Sequence, residues 1–103
     1  MEFNRSLKVA QALKKEIALI LQRKLNDPRL ANTIITVTHV TLSNDLMYAK
    51  ITINFVNEEN KDNINKKIKI LQNAAGYIRY LLSKVMKLRL IPRINFIYEY
   101  KNF

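Results

Sequence analysis

Apolar residues recur along the chain with two different periods, and the switches between them mark six elements. Val9, Leu13, Ile17, Ile20 and Leu21 fall at helical spacing and predict an amphipathic helix over residues 5–25, with Lys8, Gln11, Lys15 and Gln22 along its other side. Asn4 or Ser6 is placed to cap its start. Asp27-Pro28 ends it, because the residue before a proline is pushed out of the α region. Residues 33–42 are dense in β-branched side chains and predict a strand. Ser43-Asn44-Asp45 is a turn signal. Residues 46–56 then alternate, with Met47, Ala49, Ile51, Ile53 and Phe55 on one side and Tyr48, Lys50, Thr52 and Asn54 on the other. That period of two fits an antiparallel hairpin with one buried face.

The polar stretch from Asn57 to Asp62 is the one candidate for a loop of any length. Beyond it the helical period returns, with Ile64, Ile68, Leu71 and Ala75 inward and Lys66, Lys67 and Lys69 largely outward, and it continues through Ile78, Leu81, Leu82 and Val85. Gly76, the single glycine, interrupts the pattern. Glycine inside a helix costs about 1 kcal/mol against alanine, so an isolated one signals a bend or a close backbone approach. The expectation is two helices, over 63–74 and 77–87, joined with almost no loop. Residues 93–100 alternate Ile94, Phe96, Tyr98 and Tyr100 against Arg93, Asn95, Ile97 and Glu99, a final strand with Pro92 at its start. The order α-β-β-α-kink-α-β describes one α+β domain over residues 1–103, a three-stranded sheet with helices packed on one face.

Composition narrows the partner. Hydrophobic residues at 49% and charged residues at 25% match a folded domain. No apolar run approaches the roughly 18–20 residues of a membrane span. The start, Met1 to Arg5, has no apolar stretch behind it, so no secretory signal is expected. Zero cysteines exclude disulfides and thiolate metal sites and fit a cytoplasmic protein. The net charge of +10 points to an anionic partner, nucleic acid first and an acidic membrane surface second. Its distribution says more than its total: residues 1–30 carry net +4, residues 31–60 net −2 and residues 61–103 net +8. A chain rich in Lys, Asn and Ile can gain cations through biased composition, but bias alone does not place them in blocks.

Lys66, Lys67, Lys69, Arg79, Lys84, Lys87, Arg89 and Arg93 are the candidate phosphate contacts, with Arg5, Lys8 and Lys15 a weaker second patch. For any one lysine a solvated helix face is an equally good reading; the group favours contact. Tyr80, Lys84 and Lys87 fall at i, i+4 and i+7, where a ring can stack a base between two cations. Tyr77, Tyr98 and Tyr100 read as core or sheet-face residues. Catalysis finds little support. The one histidine, His39, shares no nucleophile-base geometry with Ser43 and Asp45, since successive strand and turn positions do not converge their side chains. A single His with scattered carboxylates makes no metal site, and without a Gly-rich phosphate loop NTP hydrolysis is not expected. The reading is a binding protein with no cofactor and no small-molecule substrate.

The element order resembles the type II KH domain, and local sequence narrows the resemblance. Asp27-Pro28-Arg29-Leu30, Ile35-Thr36-Val37-Thr38, Ser43 to Lys50, Ala74-Ala75-Gly76-Tyr77-Ile78-Arg79 and Leu88 to Phe96 together resemble the ribosome-binding factor A family, from about residue 4 to 100. The resemblance implies a monomeric bacterial factor that associates with free or immature 30S subunits, assists late assembly and 5′-end maturation of 16S rRNA, and supports growth at low temperature. It also implies an Ala-x-Gly kink at Ala74, Ala75 and Gly76 where ordinary KH domains clamp nucleotides with a Gly-x-x-Gly loop. Such a variant is expected to read RNA by shape and phosphate charge. Two features depart from the family: Arg93 stands where an acidic residue is usual, and the chain ends at Phe103 without the polar tail of many relatives, which bears on tail-dependent function. The alternatives are a ribosomal protein, a general KH-type RNA binder, or a basic protein of the membrane surface.

Overall fold

The computed structural model describes the backbone of residues 2–23, 25 and 27–100, and the side chains of this set from residue 5 onward. The elements run α1 (Glu2–Arg23), a 3-10 turn (Pro28–Leu30), β1 (Ile35–Leu42), β2 (Tyr48–Phe55), α2 (Lys61–Asn73), α3 (Ala75–Val85) and β3 (Arg93–Tyr98). α1 begins at Glu2, so Asn4 and Ser6 lie inside the helix and neither caps it. It ends at Arg23, and the polypeptide reaches the 3-10 turn with Asp27 as its cap: the carboxylate accepts from the Arg29 N–H at 2.9 Å. Proline at the first position of that turn loses no hydrogen bond.

β2 lies at the centre of the sheet, antiparallel to β1 and parallel to β3. Its inward row, Ala49, Ile51, Ile53 and Phe55, is almost wholly buried and forms the floor of the core. Met47, expected in this row, precedes the strand and is exposed. Leu13 and Ile17 of α1, Leu71 of α2, and Ile78 and Leu82 of α3 close over that row, each with no exposed surface. Val85, expected in the same stripe, is the last residue of α3 and stands largely in solvent. The hairpin between β1 and β2 is held by Asp45, whose Oδ1 accepts from the Ser43 hydroxyl at 2.6 Å and the Met47 N–H at 3.0 Å while Leu46 takes a left-handed φ of 61°. Those bonds hold the Asp45 carboxyl below the usual range, the Ser43 hydroxyl contributing most.

β3 forms an edge of the sheet, and two of its outward-facing backbone groups are met by one side chain. Gln72 of α2 donates its amide to the Ile94 carbonyl at 3.0 Å and accepts from the Phe96 N–H at 2.9 Å, filling the place of a fourth strand. At the far end the Tyr98 hydroxyl accepts from the Phe55 N–H at 3.1 Å, where β2 outruns its partner. Gln72 thereby pins α2 to β3 by two bonds made to backbone groups. Gln72→Leu is expected to cost about 1–2 kcal/mol of stability by leaving those groups unpaired, measured as a lower midpoint in urea.

The Asp27 cap gives a pH prediction. Its side-chain and backbone bonds with Arg29 lower the carboxyl from 3.8 to about 2. A depressed carboxylate contributes its stability fully above its unfolded value and loses it as pH falls through the folded one. The Arg29 amide shift should therefore titrate with a midpoint near 2, and a midpoint near the ordinary 3.8 would mean that the clamp does not persist in solution.

Candidate nucleic-acid interface

From Asn63 to Tyr98 the chain has eight Lys or Arg and no Asp or Glu. This run supplies α2 after its first two residues, Lys61 and Asp62, together with α3 and β3, and within it no acidic residue offsets the cations. The fold sorts these cations into distinct places. Asn63, Lys66, Ile70 and Asn73 follow one row of α2, and with Lys67, Lys69 and Arg29 of the 3-10 turn they line a groove of about 440 Å³. Arg29 was not among the sequence candidates. Its guanidinium is partly neutralised by Asp27, with Nε at 3.0 Å from one carboxylate oxygen and Nη2 at 2.7 Å from the other. Lys66 and Lys69 are exposed at this groove.

Two of the expected contacts are committed within the fold. Lys67 is half-buried rather than outward, with its ammonium 2.8 Å from Glu58 and 5.7 Å from the centre of the Phe55 ring. It holds the Glu58 carboxyl below the ordinary range. Arg79 reaches across to the chain entering β3, donating Nε to the Pro92 carbonyl at 3.1 Å and Nη2 to the Ile91 carbonyl at 2.9 Å. A lysine offers no planar fork to span two adjacent carbonyls.

On α3 the exposed residues form a row. Tyr77 and Tyr80 are 51% and 56% exposed, their rings nearly parallel at 20° with centres 6.5 Å apart. The Lys84 ammonium sits 4.9 Å from the centre of the Tyr80 ring. Tyr77 therefore belongs to the surface, not the core. Lys87 lies beyond the end of α3 and does not continue the helical row. Arg89 lies in the connection to β3 and shares a concavity with Arg5 of α1, joining a residue of the second patch to the first group. Lys8 and Lys15 are exposed along α1. Arg93 points away from the helices: its neighbour Ile94 is buried beneath them, while Arg93 shares a shallow groove with Tyr48 and Lys50 on the uncovered side of the sheet.

The helical chain breaks at Ala74, whose backbone (φ −87°, ψ 0°) closes α2 and opens α3. Gly76 is the second residue of α3 and has no positive φ. A Cβ placed on it would meet nothing within 4 Å, so neither the bend nor a close approach within the chain demands glycine there. Ser43 and Asp45, set aside as non-convergent, do meet, but as the hairpin turn. The His39 ring nitrogen Nδ1 lies 3.3 Å from the Thr38 hydroxyl instead.

The sequence profile of the ribosome-binding factor A family matches residues 5–102. The chain belongs to that family. It is 51% identical over 98 residues to ribosome-binding factor A of Buchnera aphidicola subsp. Cinara cedri (strain Cc), covering 95% of this chain and 84% of the relative. The crystal structure of ribosome-binding factor A from Thermus thermophilus superposes with a TM-score of 0.75 at 25% identity, over 90% of this chain and 93% of that one. A homology model of the Thermus thermophilus factor, as fitted into the cryo-EM map of a 30S complex, superposes with a TM-score of 0.67 at 27% identity, over 85% of this chain and 88% of that one. The α+β arrangement of three helices on a three-stranded mixed sheet is thus the fold of ribosome-binding factor A.

Two substitutions separate fold from interface. Arg79→Ala should destabilise by about 1–3 kcal/mol, because it strips the donors from two carbonyls, whereas Lys66→Ala and Lys69→Ala should stay within about 0.5 kcal/mol. Thermal unfolding of the three variants checks this. Gly76→Ala should raise stability by several tenths to about 1 kcal/mol in the free protein, since alanine fits the helix and narrows the unfolded ensemble. A fall in stability instead would mean that the kink does need glycine.

Proposed function

We propose that this chain binds the free or immature small ribosomal subunit transiently, in the cytoplasm, and docks on folded rRNA through the cations of α2, α3 and the connection to β3. The observation that carries this reading is the acid-free run from Asn63 to Tyr98, in a fold whose Thermus relative was fitted, as a homology model, into a 30S complex. Lys66, Lys69, Lys84, Lys87 and Arg89 are the side chains assigned to phosphate, with Arg5 joining them at the corner beside Arg89. Arg93, with Lys50, offers a separate contact on the open side of the sheet.

Recognition by shape and phosphate is supported by the kink. A Gly-x-x-Gly loop that would clamp a single strand has no counterpart at Ala74, Ala75 and Gly76, which weighs against a general KH-type reader of short sequences. A role at the membrane surface would need a free amphipathic helix, yet α1 spends its apolar side on the core. Among the described residues no helix is long and apolar enough to cross a membrane. On this reading the factor assists late assembly and 5′-end maturation of 16S rRNA, and its loss matters most at low temperature, where misfolded rRNA helices escape slowly.

Sucrose-gradient sedimentation of cell extract tests the proposal: the protein should travel with free 30S particles and be absent from 70S ribosomes and polysomes. Uniform presence on polysomes would instead indicate a ribosomal protein. Binding to purified 30S subunits should weaken steeply as salt rises, and removing one phosphate-contacting lysine, Lys66 or Lys84, should lower the log–log slope by about 1. A flat salt response, or tight sequence-selective binding to a short single strand, would contradict docking by phosphate charge.

A further inference from the structure

The exposed tyrosines of α3 have no task in the fold. α3 buries Ile78 and Leu82 completely, and those two residues satisfy its packing against the sheet. Tyr77 and Tyr80 lie on the outer side, half exposed, with their ring planes within 20° of each other. Single exposed apolar residues are common on any protein surface, but two large rings held side by side and nearly parallel on one helix form a local patch.

We propose that Tyr77 and Tyr80 form a stacking platform for an unpaired RNA base, with the Lys84 ammonium holding the adjoining phosphate or the edge of the stack. Near-parallel rings present faces of common orientation, so a flat base stacked on one ring is aligned with the other. The ammonium 4.9 Å from the Tyr80 centre shows that this ring already takes a cation on its face, the arrangement in which aromatic and cationic side chains together hold nucleotides. Charge selects the occupant. An apolar protein surface laid over the rings would also cover Lys84 without offering an anion, and α3 holds no acidic residue to compensate it. RNA supplies a π-face and a phosphate together. The base must be unpaired, because bases within a duplex have both faces occupied by their neighbours, whereas loops, bulges and ends expose one. Gly76, four residues before Tyr80 and so on the same side of the helix, leaves the floor beside the rings bare, with nothing within 4 Å of where its Cβ would stand.

This inference rests on the rRNA reading above, and its test separates the two. The full chain, its Tyr77→Ala/Tyr80→Ala variant and its Tyr77→Phe/Tyr80→Phe variant are titrated with purified 30S subunits at several salt concentrations. Stacking is sequence-tolerant and carries little charge, so the alanine variant should bind about 5- to 150-fold more weakly for the one base lost, with an unchanged salt slope. The phenylalanine variant should bind like the parent. Both sites are surface positions, and unchanged thermal unfolding confirms that the variants fold. Equal affinity of the alanine variant and the parent overturns the platform while leaving 30S docking intact. An equal loss in the phenylalanine variant also overturns it, because the hydroxyls rather than the faces would then be responsible. Retention of the effect on ribosomal proteins stripped of RNA would make the occupant a protein and reject the proposal. If the parent fails to bind 30S at all, the functional reading fails. The platform then stands or falls on tyrosine fluorescence, for which the absence of tryptophan leaves a clear window. Quenching by oligoadenylate but not by a fully paired duplex, lost in the alanine variant, supports it, and equal or no quenching rejects it.

Discussion

Two parallel strands cannot be joined by a turn. Because β3 runs beside β2 in the same direction, the chain leaving Phe55 must travel back along the whole sheet before Arg93 can pair with Tyr48, and a helical crossover is the compact way to do so. That single requirement fixes the remainder of the molecule. It lays α2 and α3 on the side of the sheet that Ala49, Ile51, Ile53 and Phe55 make apolar, and it turns their polar sides outward. Gln72 and Arg79 then lock the crossover to the strand it delivers, each through a pair of bonds to backbone carbonyl or amide groups of the segment Ile91–Phe96. The two helices that carry much of the cationic surface are thus tied to the sheet beneath them.

Rigidity bears on the electrostatics. Lysines on a flexible segment neutralise phosphate only after losing chain entropy, whereas those on α2 and α3 are already spaced by the helix. Three of the acidic side chains are occupied, Asp27 with Arg29, Asp45 within its hairpin turn and Glu58 with Lys67, while Asp62 stands in the first turn of α2. All three occupied carboxyls are held below their ordinary pKa values by those bonds. The distribution of charge seen along the sequence becomes, in three dimensions, a distribution between committed pairs and unpaired surface.

Much of this was legible in the sequence, and the exceptions have physical causes. The strands, helices and buried rows follow from their periods. One signal in β1 passes unnoticed if strict alternation is assumed: its apolar residues fall at 35, 37, 40 and 42. The phase change is a bulge between Val37 and His39, which returns Val40 and Leu42 to the core side. The parallel pairing of β3 leaves no mark on a period of two, which is the same for either direction. Lys67 and Arg79 were indistinguishable from their neighbours because commitment depends on partners 9 and 12–13 residues away in the chain. Arg29 was hidden inside a turn motif that explained it locally. Tyr77 reads as core by hydrophobicity, yet it lies at the margin of the stripe that Ile78, Leu81 and Leu82 define, and there the fold leaves it half exposed.

The residues that the fold does not require are informative together. Consistency between local preference and global structure is what lets a sequence specify one state, and departures from it concentrate where a sequence serves something beyond folding. Gly76 weakens the start of α3 although alanine would fit. Tyr77, Tyr80 and Val85 expose large apolar surface from the same helix, and Leu90 does so just beyond it. Elsewhere among the described residues the core is closed and the buried side chains are apolar, with none of them polar or charged. Large apolar side chains are also exposed at Leu7, Ile34, Met47, Tyr48, Val56 and Tyr100, so exposure alone does not mark α3; what is particular to α3 is a pair of near-parallel exposed rings beside the Lys84 ammonium. A surface that combines unpaired cations, flat rings and a bare stretch of backbone matches a polyanion that also carries planar groups, and RNA has both.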